Sequence, residues 1–113
     1  MRYALLVCQD ESVARSAEEE SRVLDAYASF QGELEARGVL SGAIRLRPTG
    51  SATTVQVRNG GLVIADGPFA ETKEQIAGFF LVECKDLDEA IEIASRVPSA
   101  RFGTVEVRPV WEM

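Results

Sequence analysis

The chain has 113 residues, 46% of them apolar and 27% charged, with a formal net charge of −6. That length gives one domain, residues 1–113, with one core, and the charge content is that of a soluble globular chain rather than a disordered one. The acidic balance argues against nucleic acid as a partner, because phosphate binding needs a basic face, and no apolar run reaches the length of a membrane span.

Histidine is absent. This excludes Ser-His-Asp and Cys-His catalysis from within the chain and removes the commonest metal ligand. Two distant cysteines, Cys8 and Cys84, make no zinc site. No P-loop or Gly-x-Gly-x-x-Gly pattern occurs, so no cofactor is expected. Both cysteines lie in apolar runs, which fits small buried hydrophobes in a reduced compartment, with a disulfide between neighbouring strands as the alternative. A cytoplasmic location follows from the reduced compartment, and the N-terminal residues read as a strand rather than a signal peptide.

Arg2 to Cys8 is apolar on both faces, with Tyr3, Leu5 and Val7 on one side and Ala4, Leu6 and Cys8 on the other. Ser16-x-x-Glu19 has the form of a capping box and opens a helix whose stripe is Val23, Tyr27, Phe30 and Leu34, stopped by Gly38. Val39 to Arg47 reads as a second strand, ended by Pro48 and Gly50. Thr53 to Arg58 and Gly61 to Ala65 form a hairpin across Asn59-Gly60, a two-residue turn signal.

The run Asp66 to Gln75, DGPFAETKEQ, follows. Its Glu71-Thr72-Lys73-Glu74 order predicts a short helical turn over Thr72 to Ile76, with Thr72 as N-cap and Gln75 at the capping-box position. Gly78 to Cys84 is again apolar on both faces. Asp86-x-x-Glu89 starts a second helix with Leu87, Ala90, Ile91 and Ala94 as its stripe, ending at Pro98. Gly103 to Trp111 closes the chain as a strand, with Glu106 and Arg108 on one face.

Two halves that each run strand, helix, strand predict an α+β, ferredoxin-like βαβ-βαβ sandwich with an inserted hairpin. Two helices cover one face of a four-stranded sheet. Strands that are apolar on both faces therefore need a second cover, and a symmetric partner is the preferred one. The alternative is that the Gly61–Ala65 hairpin folds over that face.

Asp66 stands at a strand end, oriented by Gly67 and Pro68, where it could act as a general base or accept hydrogen bonds from its own turn. Arg108 and Glu106 would hold a ligand anion or form a cross-strand or intersubunit ion pair. Lys73 would bind an anionic group or be a solvated surface lysine. Tyr3 would add a hydroxyl to the same cavity or be a core aromatic. Phe69 reads as a core or interface anchor and Trp111 as an interface anchor.

The DGPFAETKEQ run, with Gly78-Phe79-Phe80, the closing Gly103-Thr104-Val105-Glu106-Val107-Arg108-Pro109-Val110, the opening Tyr3-Ala4-Leu5-Leu6-Val7 and Gly38-Val39-Leu40, resembles the DGPF branch of the YCII-related family. The resemblance covers nearly the whole chain. It implies a bacterial protein that forms a dimeric α/β barrel from ferredoxin-like protomers around a small-molecule cleft. In some members of the wider family a His-Asp pair is proposed as catalytic; that pair cannot form here. Three activities follow as expectations: binding of a small polar or aromatic metabolite by a homodimer, a cofactor-free lyase or isomerase using Asp66, or a regulatory module linked to the extracytoplasmic-function sigma factors beside which DGPF relatives occur.

Overall fold

A computed structural model describes residues 1–112. Six strands and two helices run in the order β1 (Arg2–Gln9), α1 (Ala17–Ala36), β2 (Leu40–Arg45), β3 (Thr53–Arg58), β4 (Gly61–Asp66), β5 (Gln75–Glu83), α2 (Leu87–Ser95) and β6 (Thr104–Pro109), with 3-10 turns at Thr49–Ser51 and Pro98–Arg101. Four strands form one antiparallel sheet in the order β2-β5-β1-β6, and β3 and β4 pair separately. Element order, strand order and the two helices agree with a ferredoxin-like α+β fold.

Local chemistry explains the boundaries. The Ser16 side chain accepts from the Glu19 N–H at 3.1 Å and the Glu19 carboxylate accepts from the Ser16 N–H, which completes the capping box and starts α1. At the other end the Gly38 N–H donates to the Glu35 carbonyl and the Val39 N–H to the Leu34 carbonyl, the two bonds of a Schellman stop. Asp86 caps α2 by accepting from the Glu89 N–H at 2.9 Å. The Glu89 carboxylate accepts from the Lys85 N–H, one residue before the cap, so the box is offset from its usual form.

The core lies between the helices and one face of the sheet. Tyr3, Leu5 and Val7 of β1, Phe80 and Val82 of β5, Phe30 and Leu34 of α1, and Ala90, Ile93 and Ala94 of α2 are buried there. Phe80 packs edge-on against Phe30 at 5.3 Å and stacks on Tyr27 at 6.2 Å. The stripe of α2 differs from the expected one. Ile93 is buried, whereas Leu87 and Ile91 are about half exposed. Ala90, Ile93, Ala94 and Val97 follow i, i+3, i+4, i+7 spacing and leave Ile91 on the outer side. Cys84 belongs to this core while Cys8 lies on the other sheet face, so the two thiols are free and cannot pair.

The DGPFAETKEQ segment contains no helical turn. It crosses from β4 to β5 as an irregular neck, and Gln75 and Ile76 already belong to β5. Gln75 Nε2 donates to the Ala70 and Thr72 carbonyls at 2.9 and 3.0 Å, and Thr72 Oγ1 donates to the Glu74 carbonyl at 2.6 Å. These side chains satisfy the neck's carbonyls in place of a helix ladder. Phe69 is 81% exposed and lies outside the core, as does Trp111 beyond the end of β6.

The two layers are thin and spread out. The principal extents are 48 × 43 × 19 Å and the radius of gyration is 16.0 Å, against about 13 Å for a compact chain of this length. The accessible surface is 7790 Å². A compact 12.3 kDa monomer exposes about 6,100 Å².

One part-buried polar cluster ties the layers together. Ser99, fully buried, shares a hydrogen bond with the Tyr27 hydroxyl at 2.5 Å and donates to Gln9 Oε1 at 3.3 Å. Ser99→Ala strands the Tyr27 hydroxyl and is expected to cost about 1–3 kcal/mol in urea unfolding. Adding Tyr27→Phe to that variant is expected to recover part of the loss. Costs that simply add would show the two hydroxyls to be uncoupled.

Candidate functional site

The sheet face away from the helices is uncovered. Register places Glu106, Leu6, Phe79 and Ile44 in one row across the four strands, and Arg108, Ala4, Leu81 and Gly42 in the next. Cys8 stands between Thr104 and Ile76 in a third row. Residues directly opposite in antiparallel strands share a face. The face is therefore an apolar strip of Leu6, Cys8, Phe79, Leu81, Ile44 and Ile76, edged along β6 by one acid and one base. Leu6, Cys8, Phe79 and Leu81 are half-buried by their neighbours, and Ile44 and Ile76 are about half exposed.

A bulge in β5 shapes the strip. The register shifts at Ala77, so Ile76 opposes Cys8 while Gly78 opposes Val7. The extra residue exchanges the faces on either side of it. This puts Ile76 on the same open face as Phe79, although simple alternation separates them.

The hairpin does not close this face. β3 and β4 make no extended contact with other elements. They form an arm that leaves the β2–β5 end of the sheet, with positive φ at Asn59 and Gly60 in its turn. Gly67, with φ +93°, turns the chain out of the arm, and its N–H donates to the Ala52 carbonyl at 2.8 Å.

The five expected site residues fall in different places. Glu106 and Arg108 share the open face and pair with one another along β6 at 2.5 Å, rather than across strands. Asp66 ends the arm, is exposed, and takes no part in the turn's hydrogen bonding among the described residues. Lys73 lies in the neck within electrostatic reach of Asp10. The Asp10 carboxyl is held below its usual range chiefly by hydrogen bonds from the Ser12 hydroxyl and N–H, at 2.6 and 2.9 Å, with Lys73 adding to the effect. Tyr3 is buried on the helix side, with its hydroxyl toward Met1 Sδ at 3.6 Å. Tyr3 opposes Pro109, one residue out of step with Arg108, so it cannot share a cavity with that guanidinium.

Two groups not expected as site residues join the open face. Burial raises the Cys8 thiol above its ordinary range, and the carboxylates of Glu106 and Glu74 raise it further. Glu74, in the neck, thus acts electrostatically on the same strip as Glu106. The bulge hides this in the sequence, because Glu74 and Phe79 look like opposite faces.

Two clefts lie on the helix side. One, of about 910 Å³, is lined by residues including Arg15, Arg22, Arg96, Arg101 and Phe102. The other, of about 300 Å³, lies between α1 and the β2–β5 edge. Asp66, Lys73, Glu106, Arg108 and Tyr3 line neither. Three of those four arginines are paired with carboxylates: Arg15 with Glu20, Arg22 with Glu18, and Arg96 with Glu33 and Glu92. No group of three or more His, Cys, Asp or Glu suited to a metal occurs among the described residues.

In a Cys84→Ala background, the pH midpoint for alkylation of Cys8 is expected above that of a free thiol and is expected to fall in Glu106→Gln. A midpoint that does not respond to Glu106→Gln would place that carboxylate away from the thiol.

The sequence model of the YCII-related domain matches residues 1–113. The uncharacterized protein R00369 of Rhizobium meliloti (strain 1021) is 43% identical over 114 residues, spanning 97% of this chain and 92% of that protein. With a match along its whole length, the chain belongs to the YCII-related domain family.

Proposed function

We propose that this protein is a cytoplasmic homodimer, of the DGPF branch of its family, that binds a small polar or aromatic metabolite between its open sheet face and a partner copy. The observation that carries this reading is the uncovered strip of Leu6, Cys8, Phe79, Leu81, Ile44 and Ile76, edged by Glu106 and Arg108. An apolar face of this kind in water favours association.

The accessible surface supports a large interface. The excess over a compact monomer is about 1,700 Å² per chain, or about 3,400 Å² for a pair, which falls in the range of obligate homodimers. Two sheets meeting at a twist pack at their centre and leave space toward their margins. The β6 margin carries Arg108, whose planar guanidinium suits a carboxylate or phenolate, and the strip offers Phe79 and Leu81 to a ring. Once the face is covered, the Glu106–Arg108 pair loses water and gains from a ligand that completes its hydrogen bonding.

A second reading is a cofactor-free lyase or isomerase with Asp66 as base. The observation in its favour is that the Asp66 carboxylate is exposed and its own turn does not use it. The two readings differ in whether the protein turns its ligand over and in whether Asp66→Asn abolishes that turnover.

A panel of small aromatic carboxylates, titrated against ¹⁵N-labelled protein, is the direct test. The reading predicts shifts at Leu6, Phe79, Leu81 and Arg108, with affinity at least about tenfold weaker in Arg108→Ala, as for loss of a charge-assisted hydrogen bond. Shifts confined to the helix-side clefts would move the site to the other face of the sheet.

A further inference from the structure

The arm has two unlike faces. Val55 opposes Ile64 and Val57 opposes Leu62, which puts these four on one side, and they are 61–65% exposed. Thr53 opposes Asp66 at the base of that same side. The other side carries Thr54, Gln56 and Arg58 opposite Ala65, Val63 and Gly61, and is polar along β3 only. An isolated two-stranded hairpin is marginal in water, and one that shows an apolar face to solvent is a surface waiting for a cover.

The chain thus carries two uncovered apolar faces, and neither covers the other within one protomer. One is the open face of the four-stranded sheet. The other is the Val55–Val57–Leu62–Ile64 face of the arm. The dimensions match. Six residue pairs at about 3.4 Å each make an arm about 20 Å long, and four strands at about 4.8 Å span a sheet about 15–19 Å wide.

The arm leaves the sheet at the β2–β5 end, far along the strand order from β6. Among the described residues no hydrogen bond or ion pair joins Asp66 to Glu106 or Arg108 of its own chain. A two-fold axis resolves both facts at once, because an isologous contact uses each complementary pair of surfaces twice.

Resting on the homodimer reading above, we propose that the β3–β4 arm of each protomer lies across the open sheet of a second copy of this chain. Its apolar face covers the margin of the partner's strip, and Asp66 is supplied in trans beside the partner's Glu106 and Arg108. The composite site then holds an acid from one chain and a base from the other. The negative Asp66 faces the positive end of the Glu106–Arg108 pair, and neither chain makes a complete site alone. The ligand class is narrowed accordingly to small molecules that present both a donor, for Asp66, and an anionic or acceptor group, for Arg108, on an apolar body.

Paramagnetic relaxation between protomers tests this. A nitroxide is attached at Arg58→Cys, on the exposed side of the arm away from the Val55–Leu62 face, in a Cys8→Ala, Cys84→Ala chain and mixed with ¹⁵N-labelled chain that carries no spin label. Circular dichroism and light scattering first establish that the labelled chain folds and has the mass of the unmodified protein. The proposal predicts strong broadening of the Leu6, Phe79 and Leu81 amides in the ¹⁵N-labelled chain. It also predicts that Val57→Lys with Leu62→Lys, at positions exposed within a protomer, keeps the fold but weakens dimerisation at least 100-fold. A dimeric sample without broadening between chains overturns the arm placement and leaves the homodimer standing. Broadening confined to the chain that bears the label, read with the isotope on that chain and unlabelled copies in excess, shows the arm lying on its own sheet and also overturns it. A monomeric mass for the unmodified protein removes the homodimer itself.

Discussion

Two helices and four strands cannot enclose both faces of the sheet, and this constraint governs the whole molecule. Tyr3, Leu5, Val7, Phe80 and Val82 fill the side that α1 and α2 cover. The other side carries Ala4, Leu6, Cys8, Phe79 and Leu81. A sheet face meant for water alternates with polar residues along each strand. Here the central strands β1 and β5 do so only at their ends, and polar residues on the open side gather on β6. An apolar middle with a charged margin is what the proposed homodimer interface requires.

The neck between β4 and β5 gives the DGPFAETKEQ run its physical content. Gly67 turns the chain, Gln75 ties the Ala70 and Thr72 carbonyls, and Thr72 holds the Glu74 carbonyl. Most of the run thus builds a corner, which joins an arm on one side to a central strand on the other. Asp66 and Glu74 stand at its two ends. Asp66 shares a face with the apolar stripe of the arm, and Glu74 acts on the thiol of the open sheet. Two of the corner's three acidic residues are thereby distributed between the two uncovered surfaces of the chain.

Much of the architecture was legible because it rests on short-range chemistry. Ser16 and Glu19, Gly38, Asp86 and Asn59-Gly60 each satisfy or redirect backbone within a few residues, and each stands where its spacing places it. The two-sided apolar character of β1 and β5 was equally visible. What could not be read depends on register. Tyr3 and Arg108 are separated by a one-residue offset between β1 and β6, and the bulge at Ala77 reverses which side Glu74 and Ile76 meet. The capping pattern of Thr72 and Gln75 misled for a related reason. Those groups bond neck carbonyls instead of helix amides, because β5 begins at Gln75 and leaves no residues for a helix. In α2, the choice of Ile93 over Ile91 for the core follows from where the helix lands on the sheet, which no local pattern specifies.

The central claim is that a second copy covers the open face, and the mass of the unmodified protein across a dilution series tests it most directly. Multi-angle light scattering from about 100 μM to 100 nM is predicted to give twice the 12.3 kDa chain mass at least down to the low micromolar range, as an interface of obligate size implies. A mass of one chain at the highest concentration would contradict the account, because the apolar face would then be shown to stand uncovered in water.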